Sequence, residues 1–310
     1  MRASAAATAC AALALAAPAA AVGAASARAP APRTLARIAG ARPLAPMPAL
    51  PRGELAPIEV LPAQPLASLT DLARREERTR RRLWRLAFDT AADYARRRLG
   101  RVSIALVDDQ GAFHAYNPSL LYRSASLVKA MMLVALLRSV GDEPLPAGYT
   151  RLLEPMITRS DNNAATRVLR IVGYSGLAEV GRAAGMHHFA TAPRWGDTQI
   201  AAGDQARFFA RIDALVPERH RKFARGLLAG VIAPQRWGIA AEVPPGAEIL
   251  FKGGWRPDPG GWIVHQAALV EEGPRRASLV VLTDGDRSEG YGHETIRGVA
   301  ERALGAFAAR

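Results

Sequence analysis

A serine followed three residues later by a lysine, Ser126-Leu127-Val128-Lys129, opens an apolar stretch that continues to Leu137. Residues three apart share one face of a helix. Lys129 is therefore predicted to stand beside the Ser126 hydroxyl, where an amine can take its proton. A serine is a poor nucleophile until a neighbouring base does so, and a helix start adds N–H groups that favour a developing oxyanion. Two further polar triplets follow. Ser160-Asp161-Asn162 offers a second hydroxyl, Ser160, that can pass a proton to a leaving group, and an amide, Asn162, that can hydrogen-bond a substrate amide. Lys252-Gly253-Gly254 follows the apolar run Ile249-Leu250-Phe251. Lys252 brings a positive charge for a substrate carboxylate and biases the other lysine towards its neutral form.

Each motif alone has a bland reading: a helix cap with a surface lysine, a second cap, a turn. Residue choice weighs against that reading for the set. Of 41 basic side chains only three are lysine, namely Lys129, Lys222 and Lys252, and two of those fall in the motifs. Arginine keeps its proton at ordinary pH, whereas a desolvated lysine can lose it.

S-x-x-K, S-D-N and a K-[ST]-G variant, in this order, resemble the class A β-lactamase and penicillin-binding family. The resemblance runs from about Ala87 to Phe307 and includes Arg194-Trp195 followed by Asp197-Thr198. It implies an α/β (α+β) three-layer fold, with a five-stranded antiparallel sheet flanked by helices and a reduced all-helical subdomain. It implies Ser126, Lys129 and Ser160 as catalytic residues. Asn162, Lys252 and Gly254 would bind substrate, and the N–H groups of Ser126 and Trp255 would form the oxyanion hole. No metal or organic cofactor is expected. The substrate would be a β-lactam, a peptidoglycan-like cell-wall amide or ester, or another small molecule.

Three departures shape the expectation. The stretch from Ser126 to Ser160 is markedly shorter than in class A enzymes, which predicts a more open cleft. Only Gly196 separates Trp195 from Asp197, so the loop that carries the family's deacylating glutamate is reduced to almost nothing and turnover of an acyl-enzyme is expected to be slow. Gly253 stands where the family has Ser or Thr, which removes a hydroxyl that helps hold a carboxylate. A non-catalytic wall- or ligand-binding module on the same fold is the alternative. Gly173-Tyr174-Ser175-Gly176 is a poor nucleophile elbow because Leu177 replaces the final glycine. His187-His188 cannot share a helix face as zinc ligands, and Asp284, Asp286 and Glu289 read as a strand-to-helix connection.

The elements expected to position these groups follow from pattern and punctuation. A helix from Thr70 towards Leu99 is predicted, with Leu83, Leu86, Ala87 and Tyr94 as its inner face, then strands over Val102–Asp108 and Ala112–Tyr116. Helices are predicted over Leu127–Leu137, Thr150–Thr158, Asn162–Ile171, Gly176–Gly185, Gly203–Leu215 and Arg219–Ala229. Strands over Glu248–Lys252, Trp262–Leu269 and Ala277–Thr283 come next, then a helix over Glu294–Phe307. Strands interrupted by a helical block predict a sheet with helices beside it.

Arg2 followed by the apolar Ala5–Ala17 and by Ala25-Ser26-Ala27 reads as a signal peptide over residues 1–27. The apolar stretch is too short to span the bilayer, so a secreted or cell-envelope location and no stable membrane span are expected. Cys10, the single cysteine, lies within it. Residues 28–67, rich in Pro, Ala and Arg, read as a linker, and residues 68–310 as one catalytic domain. A net charge of +13 admits an anionic cell-wall polymer as a partner, while export argues against nucleic acid. A monomer is expected.

Overall fold

The computed structural model describes residues 69–308. The signal segment, the linker and Cys10 lie outside the described residues. The first element, α1 (Leu69–Arg96), carries Asp71 in its first turn and Arg96 in its last, both favourable to the helix dipole. Its buried face differs from the sequence expectation. Leu83 and Leu86 are 38% and 49% exposed, Ala87 and Tyr94 lie at the margin, and Trp84, Phe88, Ala91, Ala92 and Ala95 face inwards. These positions recur at i, i+4, i+7, i+8 and i+11, a helical stripe displaced by one residue from the leucines. The stripe wins because it carries the larger rings and because the Trp84 indole N–H donates to Asp109 Oδ1 at 2.8 Å. The three alanines then let the helix lie close to its neighbours.

A hairpin follows, β1 (Arg101–Val107) and β2 (Phe113–Tyr116), in the register Ile104 opposite Tyr116. Next come β3 (Tyr122–Arg123), α2 (Lys129–Val140), α3 (Ala147–Thr158) and α4 (Asn162–Ala183). The two helices expected between 162 and 185 form a single run broken at Gly173, whose φ of +67° is left-handed and kinks the axis. The chain continues through β4 (Gln199–Ile200), α5 (Ala202–Ala210), α6 (Ile212–Leu215) and α7 (Glu218–Ala229). β3 and β4 pair as a small separate sheet, unforeseen because two residues are too few to display a period.

The late strands are longer than expected: β5 (Glu248–Asp258), β6 (Gly261–Glu272) and β7 (Arg275–Asp286). α8 (Glu289–Ala303) begins five residues before the expected start, where Ser288 Oγ accepts the Tyr291 N–H at 3.1 Å; α9 (Gly305–Ala308) is the last described element. The antiparallel sheet has the order β2-β1-β7-β6-β5. Successive side chains point to opposite faces. Ile104, Leu106, Phe251, Val264 and Val281 pack with α1 and α8, while Ala105, Leu250, Ala267, Val280 and Leu282 pack with the helical block that contains α2. The result is the expected three-layer α/β fold. β5 is an edge strand, so part of its backbone is free of the sheet and faces the helical block.

The register of α1 has a direct test. Phe88→Ala is expected to cost about 3–5 kcal/mol and Leu86→Ala under about 0.5 kcal/mol, measured by chemical denaturation. Equal losses would contradict the buried stripe.

Candidate active site

Ser126 sits in a 3-10 turn, Ala125–Val128, that runs directly into α2. Sequence reasoning placed Ser126 at the start of an α-helix; the structure inserts this tighter turn and makes Lys129 the first α-helical residue. α2 is buried from Lys129 to Leu137, and this all-round apolar packing holds the turn at the edge of the cleft. Ala125, just before the serine, has a φ of +45°, and Ser160 has one of +59°. A left-handed non-glycine residue costs on the order of 1–3 kcal/mol and persists only where its surroundings enforce it. Two of the three left-handed non-glycine residues among those described lie at this site; the third, Asn117, follows β2.

Two side chains converge on one oxygen. Ser160 Oγ is 3.1 Å from Lys129 Nζ and 3.1 Å from Lys252 Nζ. Lys129 also donates to the Ser160 carbonyl at 2.6 Å and to Asn162 Oδ1 at 2.7 Å, and Lys252 donates to its neighbour's carbonyl, Gly253 O, at 2.7 Å. Asp161 caps α4 by accepting the Ala164 N–H at 2.7 Å, which orients Ser160 and Asn162 on either side of it. Both amines are fully buried. Burial pushes Lys129 down to about 7, with Asp161 pulling weakly the other way. Burial also pushes Lys252 well down, and repulsion from Lys129 adds to it. Two ammonium ions sharing one hydroxyl is a costly state, so the pair sheds charge near neutrality. A neutral Lys129 fits the contacts: two N–H groups for its two shortest acceptors, and a lone pair for the Ser160 O–H.

The structure thus gathers Lys129, Ser160, Asn162 and Lys252. Ser126 stands one turn from Lys129, half-buried on the cleft wall, and the three polar contacts of the Lys129 amine go to Ser160 and Asn162, not to the Ser126 hydroxyl. The repulsion expected between the two amines is present, and it lowers Lys252.

β5 supplies the opposite wall. A Cβ on Gly254 would lie 2.8 Å from Ser126 N and 2.7 Å from Leu127 N. Only glycine lets the strand press against the serine's own backbone, which brings the adjacent Trp255 to the cleft beside Ser126. At Gly253 a Cβ would lie 3.3 Å from the Trp237 ring and 3.5 Å from the Trp255 ring. Trp237 stands edge-on to Trp255 and stacks on His293 at 3.9 Å. A side chain at position 253 would thus start against aromatic rings.

The Arg194–Thr198 segment is a single 3-10 turn, Trp195–Asp197. Arg194 Nε binds Asp197 Oδ2 at 2.8 Å, and Arg256 pairs with the same carboxylate. Trp195 donates to Thr166 Oγ1 at 3.3 Å and lays its ring 4.8 Å from Lys129 Nζ. The resulting cleft, about 760 Å³, has Ser126, Asn162 and Trp255 on its wall and no Asp or Glu in its lining. Sequence reasoning missed Thr166, Leu169 and Arg170 in that lining. Their signal was available: counted from Asn162, they fall at i+4, i+7 and i+8, on one helix face. Arg256 carried no such signal, since its place depends on the strand running past Gly254. Gly173-Tyr174-Ser175-Gly176 lies at the α4 kink, not at a strand-to-helix turn. Asp284 pairs with Arg101 and Asp286 with Thr283.

Gly254→Ala is expected to force β5 away from the serine turn at a cost of about 1–3 kcal/mol. Any labelling of Ser126 should fall much more than the melting temperature does, and unchanged labelling would contradict the close approach.

The profile of the beta-lactamase enzyme family matches residues 149–307, just over half of the chain. It spans Ser160, Asn162 and Lys252 but not Ser126 or Lys129. No curated protein matches the chain by sequence. Among solved structures, the class A beta-lactamase from Mycobacterium abscessus is 19% identical over 72% of this chain and 100% of its own, with a TM-score of 0.63. The beta-lactamase from Sphaerobacter thermophilus DSM 20745 is 18% identical over 72% and 98%, with a TM-score of 0.60. PBP-A is 19% identical over 71% and 95%, with a TM-score of 0.62. At these identities the structural likeness is one of fold, and together with the match of the family profile it leads to one conclusion: the chain belongs to the beta-lactamase enzyme family.

Proposed function

We propose that this protein is an exported serine hydrolase that forms an acyl-enzyme at Ser126 with a β-lactam or a related cell-wall amide or ester, and releases it slowly. The observation that carries the reading is the pair of buried amines converging on Ser160 Oγ. In the proposed reaction Ser126 Oγ attacks the substrate carbonyl and its proton passes to Lys129. The oxyanion is met by the N–H groups of Ser126 and Trp255. As the tetrahedral intermediate collapses, Ser160 gives its proton to the leaving nitrogen or oxygen and is reprotonated from the lysine pair. Asn162 orients the substrate amide through its remaining NH₂ group. Slow release is supported by a cleft lined by no carboxylate and by the Trp195 ring beside Lys129, which leave no acidic base for a hydrolytic water. A mutant of PBP-A exists as an acyl-enzyme complex with penicillin G, the type of adduct proposed here.

Export rests on the signal-like residues 1–27. Proximity to an anionic wall polymer is supported by Arg74, Arg75, Arg78, Arg82 and Arg85, all exposed along α1. The second reading, a binding module without turnover, is favoured by one contact pattern: the polar contacts of the Lys129 amine go to Ser160 and Asn162, leaving Ser126 unengaged.

Intact mass measurement after exposure to benzylpenicillin separates the readings. A lasting adduct on Ser126, absent in Ser126→Ala, is expected. Rapid turnover of a chromogenic cephalosporin would overturn slow release, and failure to react with both penicillin and a fluorophosphonate would favour the module. Lys129→Arg should lose nearly all acylation, since arginine does not give up its proton; full activity would refute the general-base role. The working form of Lys129 is the neutral amine, which predominates above its value of about 7. Acylation should therefore fall about tenfold per pH unit below that point and level off above it. A rate that is flat from pH 5 to 8 would exclude Lys129 as the base.

A further inference from the structure

From Thr70 to Thr79 every residue of α1 is exposed, so about three turns of the helix project past the inward stripe that begins at Trp84. The surface of this segment and of the turns after it is unbalanced. Glu76 and Glu77 pair with Arg80 and Arg81, each four residues on. Arg74, Arg75, Arg78, Arg82 and Arg85 are exposed and make no hydrogen bond or ion pair among the described residues. At about 100° per residue these five fall in one sector about 100° wide and about 17 Å long. Asp71 and Asp89 share that sector only at its two ends, and both glutamates are turned out of it.

An apolar strip runs beside the arginines. Leu72, Leu83 and Leu86 are 50%, 38% and 49% exposed and occupy the next sector, about 60° wide. They lie on the far side of the helix from Trp84, Phe88, Ala91 and Ala95, which face the core. The fold therefore covers neither strip.

Unpaired guanidinium groups beside exposed leucines, on the outer side of one helix, suit the boundary of a bilayer. Arginine meets phosphate oxygens through paired N–H groups, its stem lies along apolar surface, and leucine enters the acyl region. No helix among the described residues is long and apolar enough to cross a membrane, so α1 is suited to lie on a surface and not to span it. A partner of charge alone would engage the arginines and leave the leucines in water. α1 packs on the opposite face of the sheet from α2, so a surface held at α1 leaves Ser126 uncovered.

We propose that the outer face of α1 docks on an anionic phospholipid bilayer, with Arg74, Arg75, Arg78, Arg82 and Arg85 on the headgroup phosphates and Leu72, Leu83 and Leu86 in the headgroup–acyl boundary. This docking is independent of the hydrolase reading and needs no chemistry at Ser126.

Co-sedimentation of the full chain with vesicles tests it, since variants in α1 share every other segment. Binding to vesicles of equal parts phosphatidylglycerol and phosphatidylcholine is expected, at least about tenfold tighter than to phosphatidylcholine alone. Replacing the five arginines by glutamine should weaken binding at least about a hundredfold. Replacing five exposed arginines outside α1, namely Arg151, Arg167, Arg182, Arg211 and Arg219, should weaken it less than about threefold. An equal loss from the two sets would make net charge the cause and overturn the site. Leu72→Gln, Leu83→Gln and Leu86→Gln together should cost about tenfold on vesicles and leave binding to inorganic polyphosphate unchanged. Leu72→Gln alone, in the projecting segment where it cannot disturb the core, should cost about threefold. Vesicle binding indifferent to the leucines, with polyphosphate held as tightly, would assign α1 to a polyanion such as a wall polymer and overturn the lipid proposal. Failure to bind anionic vesicles at all would overturn it as well.

Discussion

Two amines buried around one hydroxyl set the terms for the rest of the site. An ammonium ion taken out of water is expensive, and a second one sharing the same hydrogen-bond partner is more so. Lys129 and Lys252 are both fully buried, and Ser160 Oγ stands equally far from each. The arrangement is tolerable only if protons leave it, and a group that sheds its proton near neutrality is suited to accept one from a serine. The same arrangement explains the choice of lysine in a chain that otherwise carries its positive charge almost entirely on arginine.

Holding those groups in place depends on elements that have no chemistry of their own. α2 is sealed by apolar packing on every side, so Lys129 cannot swing out to water without unmaking the core. Asp161 starts α4 and thereby fixes Ser160 and Asn162. Two residues beside the reactive groups, Ala125 and Ser160, adopt left-handed backbone, which the surrounding packing must sustain. On the other side, the edge strand β5 reaches the serine turn only because position 254 has no side chain. The core thus supplies the free energy that keeps a strained, desolvated polar site assembled.

The departures from the class A pattern have a common structural outcome. Reducing the Arg194–Thr198 segment to one turn brings Trp195 over Lys129 and leaves the α4 face at Leu169 and Arg170 open. On the other side Trp237 and Trp255 lie against Gly253. One wall has no Asp or Glu in its lining, and the other carries the Trp237–Trp255 ring pair. Both segments flank the cleft, while the amine pair keeps its contacts to Ser160.

The residue types and their spacing were enough to nominate Ser126, Lys129, Ser160, Asn162 and Lys252, because helix periodicity and the scarcity of lysine are local properties of the chain. The five-stranded sheet and the helical block were legible for the same reason: runs of buried apolar residues between turns report on neighbours in sequence. The buried face of α1 was not, since leucines and a Trp-Phe-Ala stripe compete for one helix and only the sheet beneath decides between them. Nor were the convergence of both amines on a single oxygen, the close approach at Gly254 or the placement of Arg256 in the cleft. Each depends on how far one element stands from another that is distant in the chain, and that distance is settled by packing across the core.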